Sequence, residues 1–360
     1  AAVSSQLVSI PKILSSLAMI MYYNKNSLFK YNRIYYTKFI MKKNKVITIG
    51  TRGSRLSLAQ VEHVKDELLL AYPNLDPELI QIKSIKTSGD KFQNKQLSEL
   101  GGKVLFCKEI EEELLDEKID LAVHSLKDVP TILPKGLNIT CVLKRSDPRD
   151  ALIARTTNTF FDLSKGSVIG TSSARRKSQI LNLRPDLEIV PFRGNIHTRI
   201  EKLKEGNVDG IILAYAGLRR LGYHNDVSYI FDVDEIIPAA SQGVICIETR
   251  ENDHELQEMI SSINDRETFL TSEAERSVLN VLDASCTSAV GCFASISNKE
   301  LLLRAQILSP DGTISFKQEK SGFASDAKKI GTTLGIELKN EVGDNFFKDI
   351  TSAYTSYTTH

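Results

Sequence analysis

Ile49-Gly50-Thr51-Arg52-Gly53-Ser54-Arg55 returns 120 residues later as Ile169-Gly170-Thr171-Ser172-Ser173-Ala174-Arg175. In both places an apolar run ends in small hydroxyl residues and arginine, as expected where a strand opens into a helix. Upstream of the first copy, KVITIG reads as a short β-branched strand. Downstream, residues 56–71 carry helical spacing through Leu58, Val61, Val64 and Leu68. A second pair of segments repeats as well: EELLDEKIDLAVHS, ending at Ser125, and IEKLKEGNVDGIILAYAG, ending at Gly217. Each reads as a helix, a short turn holding an aspartate (Asp120, Asp209) and a buried strand. Internal repetition of this kind marks architectural units, here two related α/β lobes.

Outside the repeat, ELIQIKSIKT is a further strand and KEIEEELLDEK a helix with a charged face. After Ile237-Pro238 the chain returns to a strand, GVICIETR. A helix over 267–282 follows, with Phe269, Ala274, Val278, Val281 and Leu282 on or near one face. Two strands, LLLRAQIL and TISFKQEK, then flank Pro310-Asp311-Gly312, whose turn chemistry predicts a hairpin. A closing helix completes a small α+β unit. The expected division is 46–145 with 242–262 for a first α/β domain, 146–241 for a second and 263–360 for a third.

The chain has 360 residues, with 46 Lys plus Arg against 45 Asp plus Glu, a net charge of +1. That near balance hides an asymmetry. Residues 1–45 hold eight basic residues and no acid, the first acidic residue being Glu62; removing those eight leaves 38 basic against 45 acidic, a net of −7. Residues 1–45 therefore read as a targeting leader of plastid type. A mitochondrial leader or a plain extension of a cytoplasmic protein are the alternatives, and Met41 offers an internal start. The apolar piece around residues 10–22 is too short to span a membrane. An acidic body also argues against a nucleic-acid partner. Five cysteines without a CxxC pair, and histidines without HxxxH spacing, give no disulfide framework and no metal site. Cys107, Cys141 and Cys246 lie in apolar runs and read as buried. His124, inside an apolar strand, reads as a core histidine.

In an acidic body the arginines at strand-to-helix junctions need a reason. Arg52 and Ser54, then Ser172, Ser173, Arg175 and Arg176, then Arg193 and Arg199, and Arg220 all stand where helix N-termini and guanidinium groups favour carboxylate or phosphate. GTSSARRKS lacks the spacing of a phosphate-binding loop. Asp128, in HSLKDVP after a strand, sits either in a plain turn or at the sheet edge where α/β ligands bind. Cys286 lies in a run of small residues, Ala284 to Val290 (ASCTSAV). Such a loop can hold an inert thiol or leave room for a covalent adduct.

The ordered set TRGSRLSLAQ, GGKVLFCKE, DLAVHSLKDVP, DPRDA, GTSSARRKSQ, RGNIHTR, AGLRRLG and AASQGVICIE resembles the porphobilinogen deaminase (hydroxymethylbilane synthase) family, from about residue 46 to the C-terminal region. The resemblance implies three domains: two lobes similar to type II periplasmic binding proteins, with a cleft between them, and a small α+β domain. It implies a monomeric transferase, without nucleic-acid or membrane partners, that condenses four porphobilinogen molecules head to tail with loss of ammonia. The linear hydroxymethylbilane grows on a dipyrromethane cofactor joined to a cysteine by a thioether. By motif position Cys286 is that attachment point and Asp128 the catalytic carboxylate. Ser125, Lys127, Asp128, Ser172, Ser173, Arg175, Arg176 and Arg199 hold the cofactor. Arg52, Ser54, Gln60, Arg193, Arg199 and Arg220 serve the substrate, and Lys103 belongs to a lid over 91–103. The chain departs from the family pattern at the cysteine, where Ala284-Ser285 replaces a glycine pair and Ser288 and Ala289 follow without the usual proline. Gly53 and Arg55 replace residues that are often glutamine and proline. Two other readings are a two-lobed anion-binding or sensor protein, and a degenerate homologue without loaded cofactor.

Overall fold

The computed structural model describes residues 46–88, 104–283, 289–343 and 346. The chain first builds β1 (Ile47–Arg52), α1 (Arg55–Ala71), β2 (Ile80–Ile85), α2 (Val104–Leu115), β3 (Leu121–Ser125) and β4 (Leu137–Val142). It then crosses to a second sheet: β5 (Asp150–Ala154), β6 (Val168–Gly170), α3 (Ala174–Leu183), β7 (Glu188–Val190), α4 (Ile196–Lys204), β8 (Gly210–Ala214), α5 (Tyr215–Arg220) and β9 (Tyr229–Ile230). A second crossing brings β10 (Ile245–Arg250) and α6 (His254–Ser261) back to the first lobe. The last unit holds α7 (Arg266–Leu282), β11 (Val290–Ser297), β12 (Glu300–Leu308), β13 (Ser315–Phe323) and α8 (Ala327–Val342).

The two five-stranded sheets have one topology. The first runs β2-β1-β3-β10-β4 and the second β7-β6-β8-β5-β9. In each, the first three strands are parallel and the fourth is antiparallel to both its neighbours. The antiparallel strand is the one the chain lays down directly after crossing: β5 follows β4, and β10 follows β9. The repeated sequence segments occupy equivalent places, β1 with β6 and β3 with β8. The two aspartates of the repeat do the same work. Asp120 Oδ2 accepts from the Thr48 amide at 2.8 Å and Asp209 Oδ2 from the Val168 amide at 2.8 Å. Each carboxylate ties the start of one parallel strand to its neighbour, setting the register between them.

Helices cover both faces of each sheet, so the strands are apolar on both sides. In the first lobe Ile49, Val61, Val64, Leu68, Leu121 and Val123 pack on one face, and Ile85, Ile110, Leu114 and Ile119 on the other. Fully buried aliphatic side chains of this kind each contribute about 1.5–3 kcal/mol. Leu58 departs from the expected stripe: it is 37% exposed, and Ser57 and Gln60 complete the buried face of α1 instead. In the last unit α7 and α8 pack on a three-stranded antiparallel sheet, β11-β12-β13, through Ala274, Val278, Leu282, Leu303, Leu334 and Leu338. The Pro310-Asp311-Gly312 turn joins β12 and β13 as expected, with Gly312 at φ 75°.

The two crossings run side by side and are zipped together. Ser146 N donates to Gly243 O (3.1 Å), Arg145 Nε to Gln242 O (2.9 Å) and Gln242 Nε2 to Pro148 O (2.7 Å). Gly243 has φ 88°, and a Cβ there would lie 2.5 Å from Ser146 O, so only glycine fits. The third unit clasps this joint through fully buried Glu275. Its carboxylate accepts from Arg145 at 2.6 and 3.3 Å, from the Ser241 amide at 2.5 Å and from the Ala294 amide at 2.7 Å. One side chain thus joins the first crossing, the second crossing and the small sheet. Among the described residues, no helix is long and apolar enough to cross a membrane.

Candidate active site

Parallel strands end where helices begin, and the polar residues of the repeat stand at those ends. Ser54 caps α1, its hydroxyl accepting from the Ser57 amide at 3.1 Å. Ser173 caps α3 in the same way through the Arg176 amide at 3.4 Å. Thr51 donates to Val123 O at 3.3 Å and so fixes the end of β1 against β3. Gln60 reaches from α1 to donate to Ser125 Oγ at 2.7 Å. That bond holds the residue from which the turn Leu126–Asp128 starts, carrying half-buried Lys127 and Asp128. Ser172 is exposed and accepts from the Phe192 amide at 2.9 Å, leaving its own proton to donate outward.

A buried charge network joins this turn to the second lobe. Asp150, the first residue of β5, is wholly buried between two arginines. Arg175 Nη2 lies 2.7 Å from its Oδ2, while Arg176 Nε and Nη2 donate to its Oδ1 at 3.0 and 2.7 Å. Arg175 also donates to Ile237 O, and Arg176 to Ile212 O. Gln242 Nε2 donates to Asp150 Oδ1 at 3.0 Å, and its Oε1 accepts from Lys127 Nζ at 3.5 Å. Burial alone would raise the Asp150 carboxyl, but the two guanidinium groups hold it far below the ordinary carboxylate range. Burial lowers Lys127 to about 8, opposed by Asp128 and Asp150 and reinforced by Arg176 and Arg175.

Arg199 extends the positive surface. Its Nε donates to Gly194 O at 2.8 Å, and burial, with Arg176 and Arg193 nearby, lowers it to about 10. Among the described residues, Lys127, Arg175, Arg176 and Arg199 therefore stand against two carboxylates, Asp128 and Asp150. That surplus, buried or half-buried in a chain whose body is acidic, fits a ligand bearing several carboxylates, as a dipyrromethane does.

Not every expected residue joins this set. Arg220 donates to Ser146 Oγ (2.8 Å) and Gly243 O (3.2 Å), binding the crossings from the second lobe. Burial lowers it to about 10. Arg52 and Arg193 are half-buried at the ends of their segments. Lys103 and its loop, Cys286 and the leader over 1–45 lie outside the described residues. His124 is a core histidine: Nε2 lies 3.2 Å from buried Glu248, and Nδ1 lies 3.9 Å from the Cys107 thiol. Burial, then the neighbouring Glu248, pushes Glu111 up to about 7 in the same region. Cys107, Cys141 and Cys246 are buried as expected, and burial raises each thiol. Among the described residues, no cluster of His, Cys, Asp and Glu could hold a metal ion. Sequence reasoning missed Asp150, Gln242, Arg145 and Glu275. Asp150 carried a usable signal, because a charge heading the apolar run DALIA needs a buried partner.

The family model "Porphobilinogen deaminase, dipyromethane cofactor binding domain" matches residues 47–258, and "Porphobilinogen deaminase, C-terminal domain" matches 269–340. A porphobilinogen deaminase from Nitrobacter hamburgensis is 45% identical over 300 residues, covering 83% of this chain and 95% of the relative. One from Syntrophobacter fumaroxidans is 44% identical over 307 residues, covering 85% and 98%. Among solved structures, the methionine-binding protein MetQ aligns at TM-score 0.39 and 14% identity, over 62% of this chain and 91% of that one. A TM-score this low carries no argument, and the architecture rests on the strand pairings themselves. The family models cover both lobes and most of the third unit, the curated relatives align over nearly their whole length, and the chain belongs to the porphobilinogen deaminase family.

Proposed function

We propose that this chain is a transferase of tetrapyrrole synthesis that joins four porphobilinogen molecules head to tail, releasing ammonia at each step and finally hydroxymethylbilane. Family membership, with its dipyrromethane cofactor-binding domain, supports the enzyme class. The observation that carries the reading to this site is the cationic surplus of half-buried Lys127 and Arg199 with buried Arg175 and Arg176 beside the Asp128 turn. When bound, the cofactor supplies the pyrrole carbon from which the product chain grows, and Cys286 is the residue we assign to hold it by a thioether.

The remaining chemistry belongs to side chains. Lys127, Arg175, Arg176 and Arg199 pair with acetate and propionate groups, and Ser125, Ser172 and Ser173 add hydroxyl donors. Arg52, Ser54, Gln60, Arg193 and Arg220, with Arg199 shared, serve the incoming pyrrole and the growing chain. Asp128 ends the turn Leu126–Asp128 that follows β3, beside Lys127. Its carboxylate stabilises the positive pyrrole nitrogen that develops as ammonia leaves, and can accept or return a proton there. We further assign residues 1–45 as a plastid-type leader, supported by their basic, acid-free composition, and the enzyme as a monomer.

Replacing Asp128 with asparagine tests the assignment. Turnover of porphobilinogen falls by about 10²–10⁴-fold, while intact mass still shows two extra pyrrole units. Turnover within a few-fold of wild type would overturn the catalytic role of Asp128. A fluorescent fusion of residues 1–45 checks the leader, and light scattering checks the monomer.

A further inference from the structure

Asp150 and Gln242 stand at the two points where the chain changes lobes. Asp150 is the first residue of β5, just after the first crossing; Gln242 lies in the second crossing, three residues before β10 begins. Both are wholly buried. Their side chains meet at 3.0 Å, and each also reaches a residue of the proposed cofactor site: Asp150 reaches Arg175 and Arg176, Gln242 reaches Lys127. Lys127 comes from the first lobe and the arginines from the second. We propose that the Asp150–Gln242 pair is a positioning relay that fixes the arginines of one lobe against the lysine of the other, so that the cofactor's carboxylates meet a preassembled set of donors. The inference rests on the cofactor reading above.

The chemistry of the donors supports this role. A guanidinium has five N–H donors in a fixed plane. Arg176 commits three of them to Asp150 and Ile212 O, which sets the plane and leaves two for a ligand. Arg175 is held by Asp150 and Ile237 O in the same manner. The shared carboxylate also lets two adjacent arginines remain buried side by side, since like charges out of water repel strongly unless a counter-charge lies between them. Burial lowers Arg175, and Asp150 opposes that shift. The relay contributes no reacting group; it acts through Arg175, Arg176 and Lys127.

The test follows covalent loading of the full chain after it has been freed of cofactor. Porphobilinogen is added and intact mass is read against time between pH 6 and 9, for wild type, Asp150→Asn, Gln242→Met and Phe160→Leu. Phe160 packs in the second lobe's core against Phe231 and its ring makes no polar contact with the relay, and its variant controls for lost packing and stability. The expected result is that Asp150→Asn loads at least about tenfold more slowly than Phe160→Leu when both are folded, and Gln242→Met about threefold more slowly. The groups that set the charge of Lys127 are Asp128, Asp150, Arg175 and Arg176. Removing the Asp150 charge therefore also moves the alkaline limb of the Asp150→Asn profile to lower pH, which lost stability alone would not do. Loading of Asp150→Asn at the rate of Phe160→Leu, with the limb unmoved, would overturn the relay. If Asp150→Asn does not fold, Gln242→Met decides: slowed loading supports the relay and wild-type loading overturns it. A wild-type chain that gains no mass would overturn the cofactor reading, and this inference with it.

Discussion

Glu275 has no exposure, and four donors surround its carboxyl oxygens. Replacing it with glutamine leaves the half-buried Arg145 guanidinium without its counter-charge and turns one acceptor into a donor facing a backbone amide. The expected loss is about 3–5 kcal/mol of unfolding free energy, read by urea denaturation. Glu111 gives a pH dependence of opposite sense to the usual carboxylate. Its folded value is about 7 against 4.5 for an unperturbed group, so between those values the folded chain holds a proton that the unfolded chain has released. Stability contributed by Glu111 is present below about pH 4.5 and is lost as pH rises through about 7. Glu111→Gln flattens that part of the stability profile; an unchanged slope would show that another group governs it. At this scale the sequence was readable where a residue type is rare in its surroundings, as with arginines in an acidic body. It was silent on Gln242, a polar residue of ordinary composition whose partner Lys127 lies 115 positions away.

At the level of elements the repeat was legible because it is local. A strand, hydroxyl residues at a helix start, and an aspartate before the next strand are short patterns, and the lobes carry them twice. Asp120→Ala and Asp209→Ala each remove a carboxylate that accepts a strand amide at 2.8 Å. Each costs about 1.5–3 kcal/mol, and the two costs are similar because the positions are equivalent; denaturant midpoints at matched slopes measure both. The crossings were not legible. Their pairing depends on Gly243 approaching Ser146, whose separation no periodicity reports. Gly243→Ala meets both the positive φ and the 2.5 Å approach to Ser146 O, and destabilises by about 1–3 kcal/mol with loss of thermal stability. A variant as stable as wild type would mean that the crossings can separate without cost.

Across the whole molecule, each lobe borrows its antiparallel strand from the chain arriving from the other, and the third unit locks the junction through α7 and Glu275. The proposed site lies where those crossings meet, so its donors belong to both lobes and are bridged by residues of the joint. This arrangement explains why the motifs pointed to residues at strand ends and not to the residues that bridge them. Side chains at strand ends are fixed by local pattern, whereas Asp150 and Gln242 acquire their role only when two distant crossings fold together. The same geometry separates this chain from a two-lobed receptor, which needs cations in a cleft but not a third unit. The most direct measurement is the intact mass of the purified chain beside its Cys286→Ala variant. The account predicts an excess of two pyrrole units in the wild type and none in the variant. Equal masses, apart from the substitution itself, would contradict it.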